Sequence, residues 1–142
     1  MAERAGPLSG VRAVTCSTAQ AGTVPYMMMA DLGAEVIKVE VPGVGDGSRT
    51  AGELRGEISS FFETNNRGVK SVTLDLKSAE GRKILHRLIE TADIFGQNFR
   101  PGAAEKNGFG YEELKKINPK LVYVSVSGYG QRGPHSDLPG TD

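Results

Sequence analysis

Residues Leu121–Pro134, LVYVSVSGYGQRGP, run from an apolar strand-like segment into Gly128-x-Gly130-x-x-Gly133, the spacing of a phosphate-binding glycine loop. That fingerprint has physical meaning only where its last glycine opens a helix whose N-terminal amides face a pyrophosphate. Here Pro134 and Pro139 bracket a polar stretch, PHSDLPGTD, and no helical spacing follows. Context therefore argues against a dinucleotide site. The segment reads as a strand leading into a turn-rich loop.

Four more runs rich in valine, isoleucine and leucine precede it, at Val11–Ser17, Glu35–Glu40, Ser71–Lys77 and Asp93–Phe99. Between them lie stretches with helical spacing: Gly22–Leu32, Ala79–Thr91 with Ile84, Leu85, Leu88 and Ile89 on one side, and Tyr111–Ile117. Strand and helix alternating in this way predict an α/β fold, a parallel sheet flanked by helices. Glu35–Glu40 is expected to be less deeply buried than the other strands, because Glu35, Lys38 and Glu40 interrupt it. Ser78 stands where an N-cap would open the Ala79 helix, and Asn118-Pro119 ends the Tyr111 helix. Residues 41–69, glycine-rich and weakly periodic, read as a surface excursion with a short ordered piece around Phe61 and Phe62.

Composition narrows the function. The 142 residues carry 17 basic and 17 acidic side chains, so no net field recruits nucleic acid or an anionic membrane, and a small-molecule partner is expected. No apolar run approaches membrane-spanning length and MAERAGPLSG lacks the order of a signal peptide, which makes a cytoplasmic chain the default. Cys16 is the single cysteine, which excludes an internal disulfide, and it reads as a buried core residue. His86 and His135 have no metal-ligand spacing around them, and no metal site is expected. Met27, Met28 and Met29 read as core filling.

NFRPG, Asn98–Gly102, sets an amide, an aromatic ring and a guanidinium at the C-terminal end of a strand, where open α/β sheets bind ligands. Asn98 can hydrogen-bond a base or an amide, Phe99 can stack on a flat ring and Arg100 can pair with a phosphate. Pro101-Gly102 is equally consistent with a plain turn. Lys77 ends another strand, where a lone lysine is usually solvated. AQAGTVPY follows the first strand with one glycine in place of three, which weakens a nicotinamide-dependent dehydrogenase reading. VPGVGDGSR, Val41–Arg49, offers glycine amides and Arg49 but no P-loop ending, and reads as a flexible turn.

In order, LSGVRAV, AQAG, MADLGAEVIKVEVPGVGD, NNRGVKSVTLDLKSAEG, ADIFGQNFRPGAAEKNGFGYEELKKINPKLVYVSVSGYGQRGP and LPGTD resemble the N-terminal part of the class III (CaiB/BaiF-type) CoA-transferases. That family includes formyl-CoA, crotonobetainyl-CoA and phenyllactate CoA-transferases and α-methylacyl-CoA racemase. The resemblance implies that residues 1–142 form a partial CoA-binding, Rossmann-like domain, the N-terminal part of a large domain whose subunits interlock as a homodimer. It implies coenzyme A or acyl-CoA as substrate with no permanently bound cofactor, a carboxylic acid acceptor, and an aspartyl nucleophile. On the same basis Gln20 and Ala21 lie beside the thioester, with Gln20 supporting catalysis. Leu74, Lys77, Asn98, Phe99 and Arg100 match contacts to the adenine and phosphates, and Lys106 a further phosphate contact.

Two departures matter. Thr23 stands where the family usually has proline, with Pro25 nearby. The nucleophilic aspartate is expected beyond Asp142, which matches an acidic or amide-bearing position just before it; a fragment or split subunit, inactive alone, is therefore expected. Thr141 replaces the proton-transferring histidine of the racemase branch, which disfavours racemase chemistry. The alternative is a non-catalytic CoA-binding subunit completed by a complementary chain.

Overall fold

A computed structural model describes residues 6–140; Thr141 and Asp142, singled out above, lie outside them. The chain opens with β1 (Arg12–Thr15), α1 (Ala19–Asp31) and β2 (Glu35–Glu40). The excursion follows, with a 3-10 turn (Gly47–Thr50), a small hairpin of β3 (Leu54–Arg55) and β4 (Ile58–Ser59), and α2 (Ser60–Asn66), which holds Phe61 and Phe62. Then come β5 (Lys70–Thr73), α3 (Ala79–Ile89), β6 (Ile94–Gln97), α4 (Ala103–Lys106), α5 (Tyr111–Ile117) and β7 (Val122–Ser125). Every expected strand and helix is present, most of them shorter than the sequence run that announced them.

Among the described residues, five strands form one parallel sheet in the order β5-β2-β1-β6-β7. The chain builds outward from β1 through β2 to β5, then returns to the other side of β1 for β6 and β7. Ala13 accordingly pairs with Val36 on one side and Ile94 on the other. Alternation along the strands sends neighbouring residues to opposite faces. Ala13 and Val36 join Tyr26 and Ala30 under α1, whereas Val14 and Phe95 pack with Leu85, Ile89 and Leu114 under α3 and α5. Helices thus cover both faces of the sheet.

Local chemistry sets several ends. Ser78 Oγ accepts from Gly81 N at 3.0 Å and caps α3. Asn118 closes α5, and its Nδ2 donates to Ile89 O and Ala92 O, tying that corner to the end of α3. Gly96 is required by packing: a Cβ there would stand 1.3 Å from Tyr26 Oη. Among the described residues no helix or strand follows β7; turns and bends fill the segment to Gly140, as the prolines predicted. That loop closes on itself, since a Cβ on Gly128 would meet Gly140 Cα at 2.5 Å.

Three expectations need correction. β2 is not the shallow strand: Lys38 and Glu40 are buried, whereas edge strand β5 is mostly exposed and edge strand β7 mostly half-buried. Charged residues can sit there because groups from the excursion pair with them. α1 begins at Ala19 instead of Gly22. Only Met27 of the methionine triplet is buried, Met28 being 55% exposed.

Candidate coenzyme site

Parallel strands deliver their C-terminal ends to one side of the sheet, and the crevice beside a reversal of strand order is where such sheets bind ligands. A cavity of about 260 Å³ occupies that place here, bordered by Cys16 and Thr18 after β1, Val39 and Glu40 of β2, Leu74 and Lys77 after β5, and Phe99 after β6. Its wall is largely apolar. Phe99 and Phe109 stack obliquely with centroids 5.6 Å apart. The buried Gln97 sets the turn out of β6, its Oε1 accepting from Phe99 N at 2.7 Å while its Nε2 donates to Ser125 Oγ. Cys16 lines the same space, and burial pushes its thiol up to about 12, so it presents a neutral, unreactive surface.

Of the residues anticipated from sequence, Leu74, Lys77 and Phe99 meet in this cavity. Asn98 is engaged within the chain: its Oδ1 accepts from Thr18 N at 2.9 Å and its Nδ2 donates to Thr18 O at 2.8 Å. Both ends of the amide thus hold the β1–α1 loop. Gly22 leaves room for it, because a Cβ there would lie 2.6 Å from Asn98 Nδ2. Gln20 and Ala21 are exposed on the first turn of α1, Arg100 on the turn after β6 and Lys106 at the end of α4. Thr23, at the position where proline was expected, donates its hydroxyl to Ala19 O.

A buried ionic cluster beneath the loop went unread in the sequence. Lys38 Nζ donates to Asp46 Oδ2 and, at 2.7 Å, to Asn66 Oδ1. Asp46 Oδ1 accepts from Ser48 N at 2.9 Å, Ser48 Oγ at 2.8 Å and Ala19 N at 3.3 Å. Alongside, Glu40 takes two bonds from Arg49 and one each from Ser71 Oγ and Asp46 N, and the Arg49 guanidinium lies 3.8 Å over the Phe62 ring. Val41–Arg49 is therefore a bolted segment and not a simple turn. Burial pushes the Lys38 ammonium down, opposed by Asp46. Burial alone would raise Glu40, but Arg49, Ser71 and the Asp46 amide bring it down to about 2. The signal was charged residues recurring in EVIKVE followed by GDGSR; their pairing across the excursion is what spacing does not show.

An open parallel sheet with helices on both faces and a cavity at its strand-order reversal defines the doubly wound α/β class. Within that class, the model of CoA-transferase family III matches residues 8–142, and the chain belongs to that family. It is 42% identical over 137 residues to an acetyl-CoA:oxalate CoA-transferase of Acetobacter aceti, covering 96% of this chain and 35% of that protein. A succinyl-CoA–L-malate CoA-transferase beta subunit of Chloroflexus aurantiacus is 40% identical over 136 residues, 94% of this chain and 33% of its own length. A crystal structure of a CAIB/BAIF family protein from Brucella suis superposes with a TM-score of 0.91 at 40% identity, covering 98% of this chain and 38% of that one. The chain thus spans about a third of the length of the relatives it matches. Among the described residues no helix is long and apolar enough to cross a membrane, and no cluster of potential metal ligands occurs.

Proposed function

We propose that this chain carries the CoA-binding part of a transferase that moves CoA between an acyl-CoA thioester and a carboxylic acid, in the cytoplasm and without a permanently bound cofactor. The observation that carries the reading is the largely apolar cavity at the strand-order reversal, where Leu74 and Phe99 offer a site for a flat base and Lys77 stands at the same wall. Arg100 and Lys106, exposed nearby in sequence, supply cations for phosphates. Gln20 and Ala21, at the start of α1, are assigned to the thioester end.

In the reaction proposed, an aspartate carboxylate attacks the thioester carbonyl, expelling CoA thiolate and leaving a mixed anhydride. Thiolate then attacks the aspartyl carbonyl, which releases the first acid and forms an aspartyl-CoA thioester. The acceptor carboxylate repeats the two steps in reverse and leaves with CoA. Splitting the transfer in this way replaces one difficult step with easier ones. The nucleophile is assigned to a segment beyond these 142 residues, in the same polypeptide or in a partner, with a homodimer as the first expectation. The relative named as a beta subunit supports a second reading, a CoA-binding subunit completed by another chain.

Calorimetric titration of the folded chain with CoA, with NAD as control, tests the assignment. Saturable CoA binding is expected, without acyl exchange by these 142 residues alone. Lys77→Ala and Arg100→Ala should each weaken it by about tenfold, the equivalent of a charge-assisted hydrogen bond. A folded chain that ignores CoA, or prefers NAD, overturns the proposal.

A further inference from the structure

Ala19 has φ 57°, the left-handed region, and it is the one non-glycine residue in that region among those described. L-residues occupy it at a cost, so surrounding contacts must hold it there. It sits at the first position of α1, whose N-cap, Thr18, makes no side-chain cap bond. In place of that cap, the carboxylate of Asp46, 27 residues further along, accepts from Ala19 N at 3.3 Å. An acidic group at a helix N-terminus is also favoured by the helix dipole.

Two fixings therefore meet on consecutive residues. Asn98 of the β6 end grips Thr18 on both its N–H and C=O, and Asp46 of the excursion grips Ala19. The next two residues are Gln20 and Ala21, exposed at the end of this clamped turn. Asp46 itself is 1% exposed and is kept ionised and oriented by Lys38 and both donors of Ser48. A lysine buried in a central strand has a purpose on this account: it neutralises the carboxylate that shapes the loop.

We propose that Asp46, supported by Lys38, is a positioning residue for Gln20 and Ala21 in the first turn of α1: it caps the helix from the excursion and holds Ala19 in the left-handed conformation that aims this turn at its ligand. The part of this statement that concerns the ligand rests on the CoA reading above; the part that concerns Ala19 does not.

The test compares two double variants of the full chain that differ only in whether position 46 offers an oxygen. Lys38→Met/Asp46→Leu removes both charges together, so no unpaired charge is left buried, and takes away the acceptor. Lys38→Met/Asp46→Asn keeps an acceptor. Carbon chemical shifts of Ala19 report its backbone conformation without any ligand, and calorimetry reports CoA affinity. Expected are loss of the left-handed signature and about tenfold weaker CoA binding in the leucine variant, with both retained in the asparagine variant. Ala19→Gly added to the leucine variant should restore most of the affinity, because glycine occupies that region without strain. Left-handed shifts that persist in the leucine variant, or equal behaviour of the two variants, overturn the proposal. If the doubly substituted chains do not fold, Ala19→Gly alone decides: a raised melting temperature supports a strained position held from outside, and a lowered one refutes it. A parent chain that does not bind CoA counts against the CoA reading, while the Ala19 shifts still judge the positioning.

Discussion

Gly96 and Tyr26 form a contact that leaves no space for one more atom. The tyrosine of α1 reaches across the sheet face until its hydroxyl covers the Cα of Gly96 in β6, and a Cβ there would overlap it at 1.3 Å. Gly96→Ala should therefore destabilise the chain by about 3 kcal/mol or more, at the upper end of overpacking costs. Tyr26→Phe in the same molecule removes the overlapping oxygen and should recover part of the loss. Urea unfolding of the two single variants and the double variant measures this coupling. Equal and additive losses would show that the contact relaxes.

The element whose behaviour departs most from expectation is β2, and its charges give it a pH signature. Glu40 titrates near 2 in the folded chain against an ordinary value of 4.5, and Asp46 is likewise lowered, burial being outweighed by the bonds from Lys38 and Ser48. A lowered folded value means stability that is present above the unfolded value and lost as pH falls toward the folded one. Thermal stability should thus decline between about pH 4.5 and pH 2, with Glu40 contributing up to about 3 kcal/mol of the change. Glu40→Gln should flatten that limb at the cost of lower stability at neutral pH; an unchanged acid limb would refute the assignment. The same strand shows what sequence discloses and what it withholds. Ser78 and Asn118 could be read because a cap or a stop acts over three or four residues. Leu74, Lys77 and Phe99 line the cavity; the strand end pointed to Phe99, whereas Leu74 and Lys77 were singled out as ligand contacts by the family resemblance alone. The burial of Lys38 and the true start of α1 at Ala19 could not, because both depend on Asp46, which folds back from a glycine-rich stretch with no periodicity of its own.

At the scale of the molecule, the sheet ends on two strands, β5 and β7, that have no further strand beside them among the described residues. β7 offers Val122, 57% exposed, and no strand pairs with its outer edge among the described residues. Unpaired edges recruit other strands. Sedimentation of the 142-residue chain should show an average mass that rises with concentration, and Val122→Lys should suppress the rise; a concentration-independent monomer would refute it. Beyond that edge the chain runs from Gly128 out to Tyr129 and His135 and back to Gly140, where two glycine backbones touch. A circuit whose entrance and exit coincide is a natural splice point. A foreign peptide inserted among residues 131–137 is expected to leave both anchor glycines in place, and an unchanged urea-unfolding midpoint of the tagged chain would bear this out.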